Sequence, residues 1–241
     1  MRVPVVRLIH ILIVIAMNNY LKTIIKSHSG ILSCVYYILM NNRVYGKKQN
    51  RFKWQNVFMR GLRIKFYGKN NEVILGAEAR PSILTNCCIE VHGSNNRIII
   101  GGGVGAKDLK IYCADKNCMV QVKDDTQIAG MTELATMEGT KIVVGRDCLF
   151  SANITLRTGD SHSVVDAISG ERLNPSKDIV IGDHVWIGNT VIVTKGTTIG
   201  DNSVVATGAV VAGKAYPVCS AIGGNPAKVI KEGINWRADK V

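Results

Sequence analysis

The chain has 241 residues and a formal net charge of +12, with 46% of its residues hydrophobic. That length suits one sizeable domain plus an appendage, with enough apolar residues for a core. Seven cysteines, an odd count with no CxxC pair, argue against a disulfide framework and fit thiols in a reducing cytosol.

The charge is uneven. Thirteen Lys or Arg precede the first acidic residue, Glu72, and the other seventeen face all eighteen acidic residues. The excess belongs to the N-terminal part, so residues 1–70 are expected to meet an anionic partner, either a peripheral membrane surface or a polyanionic glycan. No nucleic-acid motif accompanies these charges, and a nucleic-acid partner is not expected.

Residues 3–28 and 31–43 predict two helices, broken at Ser27–Gly30. Both are apolar over most of their circumference, which leaves two roles open: a hairpin packed on the body or a sister subunit, or an interfacial anchor. The apolar run Val3–Met17 is interrupted by Arg7 and His10 and falls short of the roughly twenty residues of a membrane span. It also lacks a small-residue cleavage site, so export is not expected.

From about residue 67 a polar turn followed by a short aliphatic strand recurs. Gly68-Lys69-Asn70-Asn71 leads to Val73-Ile74-Leu75-Gly76, and Gly93-Ser94-Asn95-Asn96 leads to Ile98-Ile99-Ile100-Gly101. Glycines 101–103 lack the Lys-Ser/Thr ending of a phosphate loop and read as turn residues. Val144, Phe150 and Leu156 then stand six apart, and the next position is His162. The rhythm is lost over about 160–178, a polar stretch expected to leave the body as a loop.

The period returns at Ile181, Ile187, Val193, Ile199, Val205 and Val211. No helix repeats every six residues and a half-buried strand repeats every two, so one aliphatic residue per six predicts a parallel β-helix. Three such segments close one triangular coil. Ile181 should then stack on Ile199, Ile187 on Val205 and Val193 on Val211. The chain therefore divides into a basic, partly helical segment 1–66, a β-helix 67–223 and a tail 224–241.

Residues 144–231 resemble the hexapeptide-repeat acyltransferases, which have a left-handed β-helix and move an acetyl group from acetyl-CoA to a hydroxyl or amine. The matching words are Leu149-Phe150-Ser151-Ala152-Asn153, Gly159-Asp160-Ser161-His162, Val185-Trp186-Ile187-Gly188, Lys195-Gly196-Thr197-Thr198-Ile199-Gly200 and Gly224-Asn225-Pro226-Ala227-Lys228. The His segment with VWIG and GNPAK resembles the sugar O-acetyltransferase branch. The resemblance implies a cytoplasmic homotrimer with acetyl-CoA as co-substrate and a surface glycan as acceptor. The basic N-terminus, the apolar helices and Arg172 in the loop suggest contact with the inner membrane face and a glycan that is anionic or lipid-linked, such as capsule, polysialic acid or lipopolysaccharide. An amino sugar or antibiotic acetylated on nitrogen is the alternative, with the same donor and base.

A hydroxyl is a poor nucleophile at neutral pH, and imidazole suits the proton transfer. His162 matches the family's catalytic histidine, and Asp160 is placed to orient it. Asn153, Trp186 and the loop's Arg172 are the expected acceptor contacts. Trp186, Asn189, Thr207 and Lys214 should line the CoA groove, with Lys228 and Lys231 near its phosphates. Ala206-Thr207-Gly208 and Ala212-Gly213-Lys214 depart from the family's commoner words there. His10, His28, His92 and His184 read as structural. His162 and His184 stand too far apart to begin a three-histidine zinc site of the carbonic-anhydrase kind built on such coils, and no metal is expected.

Overall fold

The computed structural model describes residues 37–239. Their strands form three parallel sheets that wind into a left-handed parallel β-helix, a triangular prism. Face A runs from Arg43–Tyr45 to Val210–Val211, face B from Arg51–Trp54 to Ala215–Tyr216, and face C from Val57–Arg60 to Ser220–Gly224. A last strand, Ala227–Glu232, turns back antiparallel along the end of face C.

The six-residue ladder stacks as its spacing predicts. Ile181 pairs with Ile199, Ile187 with Val205 and Val193 with Val211. Val144, Phe150 and Leu156 sit one coil earlier in the same columns. These side chains are all but fully buried, and each aliphatic one contributes about 1.5–3 kcal/mol of transfer free energy. The columns run on through the irregular coils, for example Val73, Ile98, Val120 and Ile142 on face B.

The recurring Asn pairs have a structural cause. Asn70 and Asn95 take the left-handed backbone (φ 58 and 60) that each sharp corner needs, which Asn tolerates better than most residues. Asn71 and Asn96 point inward and are about 1% exposed. The Asn50 Oδ1 accepts the N–H of Asn71, Asn71 Oδ1 that of Asn96, and Asn96 Oδ1 that of Cys118. This chain of bonds satisfies corner amides that would otherwise be buried without a partner.

The coils begin earlier than residue 67. Arg43–Tyr45, Arg51–Trp54 and Val57–Arg60 already form a first coil, in register with Arg63–Phe66, Glu72–Leu75 and Ser82–Thr85. The reason is coil length. A coil takes 18 residues from Ile192 to Val210 but 20 from Arg43 to Arg63 and 25 from Arg63 to Cys88, so no six-residue rhythm survives there. Consequently the basic residues from Arg43 to Lys69 lie on the coils and not on an appendage. The helix expected over 31–43 reaches only residues 37–39 among those described, and Tyr37 stacks on Trp54 at 4.8 Å. The helix expected over 3–28, like His10 and His28, lies outside the described residues. The tail from 224 is not separate either, since Ala227–Glu232 completes face C.

Candidate active site

The coil spacing jumps to 37 residues from Thr155 to Ile192, because the chain leaves the prism at the edge between faces A and B. Residues 158–178 contain no strand, only a bridge between Val165 and Arg172. This is the predicted loop, and His162 stands at its start, exposed to solvent. Among the described residues its ring makes no hydrogen bond, while its backbone is tightly held.

Asn174 does the holding. Its Nδ2 donates to His162 O and to Asp160 Oδ2, both at 2.8 Å, and its Oδ1 accepts the N–H of Val164 at 2.7 Å. Lys195, from the same edge one coil later, donates its Nζ to Asp160 Oδ2 and to Asn174 O. The Lys195 ammonium, with Asn174 behind it, holds the Asp160 carboxyl below its usual range. Asp160 therefore stabilises the loop against the body; its carboxylate does not meet the His162 ring, which corrects the expected orienting role. The cause is the loop's path, which brings Lys195 to this carboxylate instead.

Arg172 is also engaged. Its Nη2 lies 2.7 Å from Glu138 Oε1, and Glu138 Oε2 accepts the N–H of Ser176. The Arg172 guanidinium, then the Ser176 amide, pull the Glu138 carboxyl down to about 2. Glu138 occupies a corner with φ 56, an unusual conformation for its residue type, and it clamps the returning limb of the loop. Arg172 in this arrangement is a loop anchor before it is an acceptor contact.

The remaining expected site residues lie elsewhere on the prism. Asn153, Asn189 and Thr207 occupy the edge between faces C and A in successive coils, all exposed. The Asn189 Oδ1 caps the N–H of Ala152 at 2.9 Å. Trp186 points outward from face C, 39% exposed, with Nε1 3.5 Å from Ser151 Oγ. Lys228 and Lys231 are exposed on the closing strand. Lys214 is on the A/B edge, its Nζ 5.0 Å from the centre of the Tyr216 ring.

Face C lies opposite the A/B edge in a triangular prism, so one chain does not bring His162 and Trp186 together. Glu138, Asn174, Lys195 and Trp236 escaped the sequence reading. Lys195 and Asp160 are 35 residues apart, and only a count of coils places them on one edge. Trp236 stacks on His184 at 4.2 Å and donates its Nε1 to His184 O, which lays the tail beside Trp186. His184 Nδ1 also lies 2.9 Å from Asp147 Oδ2, the packed role expected of it. Among the described residues no cluster of His, Cys, Asp or Glu suits a metal ion.

Residues 178–213 match the family description "Bacterial transferase hexapeptide (six repeats)". The chain is 32% identical over 170 residues to the polysialic acid O-acetyltransferase of Neisseria meningitidis, a match that covers 70% of this chain and 76% of that relative. The chain belongs to the hexapeptide-repeat acyltransferases, in their sugar O-acetyltransferase branch. This acetyltransferase is also 34% identical over 128 residues to the polysialic acid O-acetyltransferase of Escherichia coli O1:K1, across 53% of its own length and 41% of that relative. The solved structure of the polySia-specific acetyltransferase NeuO resembles it with a TM-score of 0.75 at 30% identity, over 83% of this chain and 89% of that one. Among the described residues of the acetyltransferase no helix is long and apolar enough to cross a membrane.

Proposed function

We propose that the enzyme transfers the acetyl group of acetyl-CoA to a hydroxyl of an anionic bacterial surface glycan, with His162 as general base, at a site completed by a second copy in a homotrimer. The carrying observation is the division of the site. His162 stands on one edge of the prism and Trp186 on the face opposite. A closed heterologous ring joins two different patches of neighbouring copies, and a three-fold ring that sets this edge of each copy against face C of the next would complete the site. The acidic-glycan acceptor is supported by the activity for which the two polysialic acid O-acetyltransferases are named.

In this reading the imidazole takes the hydroxyl proton as the oxygen attacks the thioester carbonyl. The tetrahedral intermediate collapses with cleavage of its C–S bond, and the imidazolium returns the proton to the CoA sulfur. Lys195, Asp160 and Asn174 set where the imidazole stands by fixing its backbone. Asn153 and Trp186 meet the acceptor, Trp186 also flanks the pantetheine arm, and Arg172 adds a cation at the loop. Asn189, Thr207 and Lys214 line the donor groove, with Lys228 and Lys231 at the phosphates. Use of acetyl-CoA places the reaction in the cytoplasm, and residues 1–70 add the charge that draws it to an anionic membrane face or glycan.

The test is transfer from acetyl-CoA across a panel of acidic polysaccharides, neutral polysaccharides and amino sugars. His162→Ala should lower kcat by about 10²–10⁴ while CoA still binds. Near-normal turnover of that variant would remove His162 from the chemistry, and transfer confined to amino groups would replace the O-acetyl reading.

A further inference from the structure

Face A carries more on its outer surface than its fold needs. In register along it stand Lys65, Glu90, Tyr112 and, past the buried Ala135, Arg157. Just beyond the strand ends Tyr67, 60% exposed, stacks on His92 with ring centres 4.3 Å apart and planes 16° apart. His92 in turn leans on Tyr112 at 5.1 Å. The rings make a continuous aromatic strip over three coils. Glu90 is neutralised by Lys65 at 2.7 Å and Glu133 by Lys110 at 3.0 Å. Arg43, Arg63 and Arg157, all exposed on this face, have no acidic partner among the described residues.

Face B differs. Its Arg51 and Arg97 both close on Glu72, and its Lys141 on Asp178. Unpaired guanidinium groups beside exposed aromatic rings thus distinguish face A from face B. Two coils beyond Tyr112, past the buried Ala135, the same column reaches Arg157, whose Nη2 donates to Ser161 Oγ beside His162 and gives the column a direction. At about 4.8 Å per coil, Lys65 to Arg157 spans ~19 Å.

We propose that face A is a binding lane for an extended acidic polysaccharide, which lies over Tyr67, His92 and Tyr112 and is led by Arg157 to the His162 edge. Stacked on one another, the rings present their edges, and the Tyr hydroxyls and the imidazole nitrogen can hydrogen-bond sugar hydroxyls, while the free arginines take the carboxylates in the paired geometry that guanidinium favours. The inference rests on the proposed acidic-glycan acceptor and adds that the polymer, rather than its terminal sugars alone, is recognised.

The probe is long polysialic acid, with dextran as the neutral control, in affinity electrophoresis of the full chain. The parent protein and His162→Ala should be retarded equally by polysialic acid and not by dextran, so binding is read separately from catalysis. The triple variant Arg63→Ala, Tyr67→Ala, Tyr112→Ala should lose this retardation by about tenfold in affinity. A milder Arg63→Gln should lose part of it if the triple variant folds poorly. In turnover, KM for the long chain should rise with KM for short oligosialic acid unchanged. Equal retardation of parent and variant, an equal effect on short and long acceptors, displacement of the glycan by single-stranded RNA at lower concentration, or loss of the oligomer in Arg63→Gln would each overturn the lane. The last outcome would make face A a contact between subunits.

Discussion

If His162 of one copy works with Trp186 of the next, two inactive variants should repair each other. Take His162→Ala and Trp186→Ala, each a weak enzyme as a homotrimer, and mix them by co-expression in equal amounts under two different tags. In a closed three-fold ring each site takes its histidine from one subunit and its tryptophan from the neighbour. A site is intact when the first is the Trp186→Ala chain and the second the His162→Ala chain, which random assembly gives for about a quarter of sites. Trimers carrying both tags exclude the homotrimers and hold one intact site in three, so after tandem affinity isolation and native mass spectrometry they should recover roughly a third of parental kcat. The floor is set by the two parents, and His162→Ala alone should lie about 10²–10⁴ below wild type, so the recovery is well resolved. Were both residues supplied by one chain, every site would carry a defect. Mixed trimers no more active than their parents would refute the shared site and the prism geometry behind it.

Lys195→Met should leave Asp160 and Asn174 without their cation and lower kcat roughly ten- to a hundredfold through misplacement of the loop, with CoA affinity unchanged by calorimetry. Asp160→Asn should give a similar loss, and the double variant little more, because both act through one contact. The Glu138 carboxyl titrates near 2 in the folded chain, below its ordinary 4.5. The stabilisation it lends the loop is complete above 4.5 and disappears as pH falls toward 2. Protection against hydrogen exchange at residues 160–178, relative to intrinsic rates, should therefore fall below about pH 4 in the parent, with a smaller step in Glu138→Gln, where Asp160 still titrates. This pair is solvent-exposed, so global stability should change by less than ~1 kcal/mol. Phe150→Ala, which empties a fully buried position between Ile128 and Ile187, should cost about 3–5 kcal/mol in denaturant unfolding. Removal of residues 1–36, which spares the Tyr37–Trp54 contact, should weaken binding to anionic vesicles in low salt while transfer to a short acceptor continues.

The regular coils were legible because backbone economy forces one aliphatic residue per six, and Ile181 to Val211 keep that period without a slip. The loop was legible as the interval in which the period fails. The earlier coils were only half legible. Their corners hold extra residues, as the 25-residue step from Arg63 to Cys88 shows, and extra residues erase a period while leaving the stacking intact. The N-terminal basic cluster misled for the same reason, since outward positions of a strand accept Lys and Arg freely when the inward neighbours are Val44 and Ile64. Residue types at the site were legible too, but not their partners. Which cation meets Asp160 depends on which corners stack, a relation that sequence spacing encodes only after every coil has been counted.

That separation between inner and outer columns explains how one scaffold combines stiffness with specificity. The inward side of each face is filled by a continuous apolar column, so the prism stands whatever the outward residues are. Outward residues then repeat every ~4.8 Å along each face, a spacing suited to a polymer that lies parallel to the prism axis. Chemistry requires something the repeat does not supply, namely a nucleophile-activating base away from the flat faces. In the proposed mechanism the excursion at residues 158–178 supplies it; Glu138 and Lys195 tie that excursion to the body, and Asn174 braces its two limbs. The tie at Lys195 joins the loop to the next coil, so the base is referenced to the same edge that Arg157 reaches from face A. A polymer guided along face A would thus arrive at an imidazole positioned by the coils themselves, and the donor would enter from the neighbour's face C.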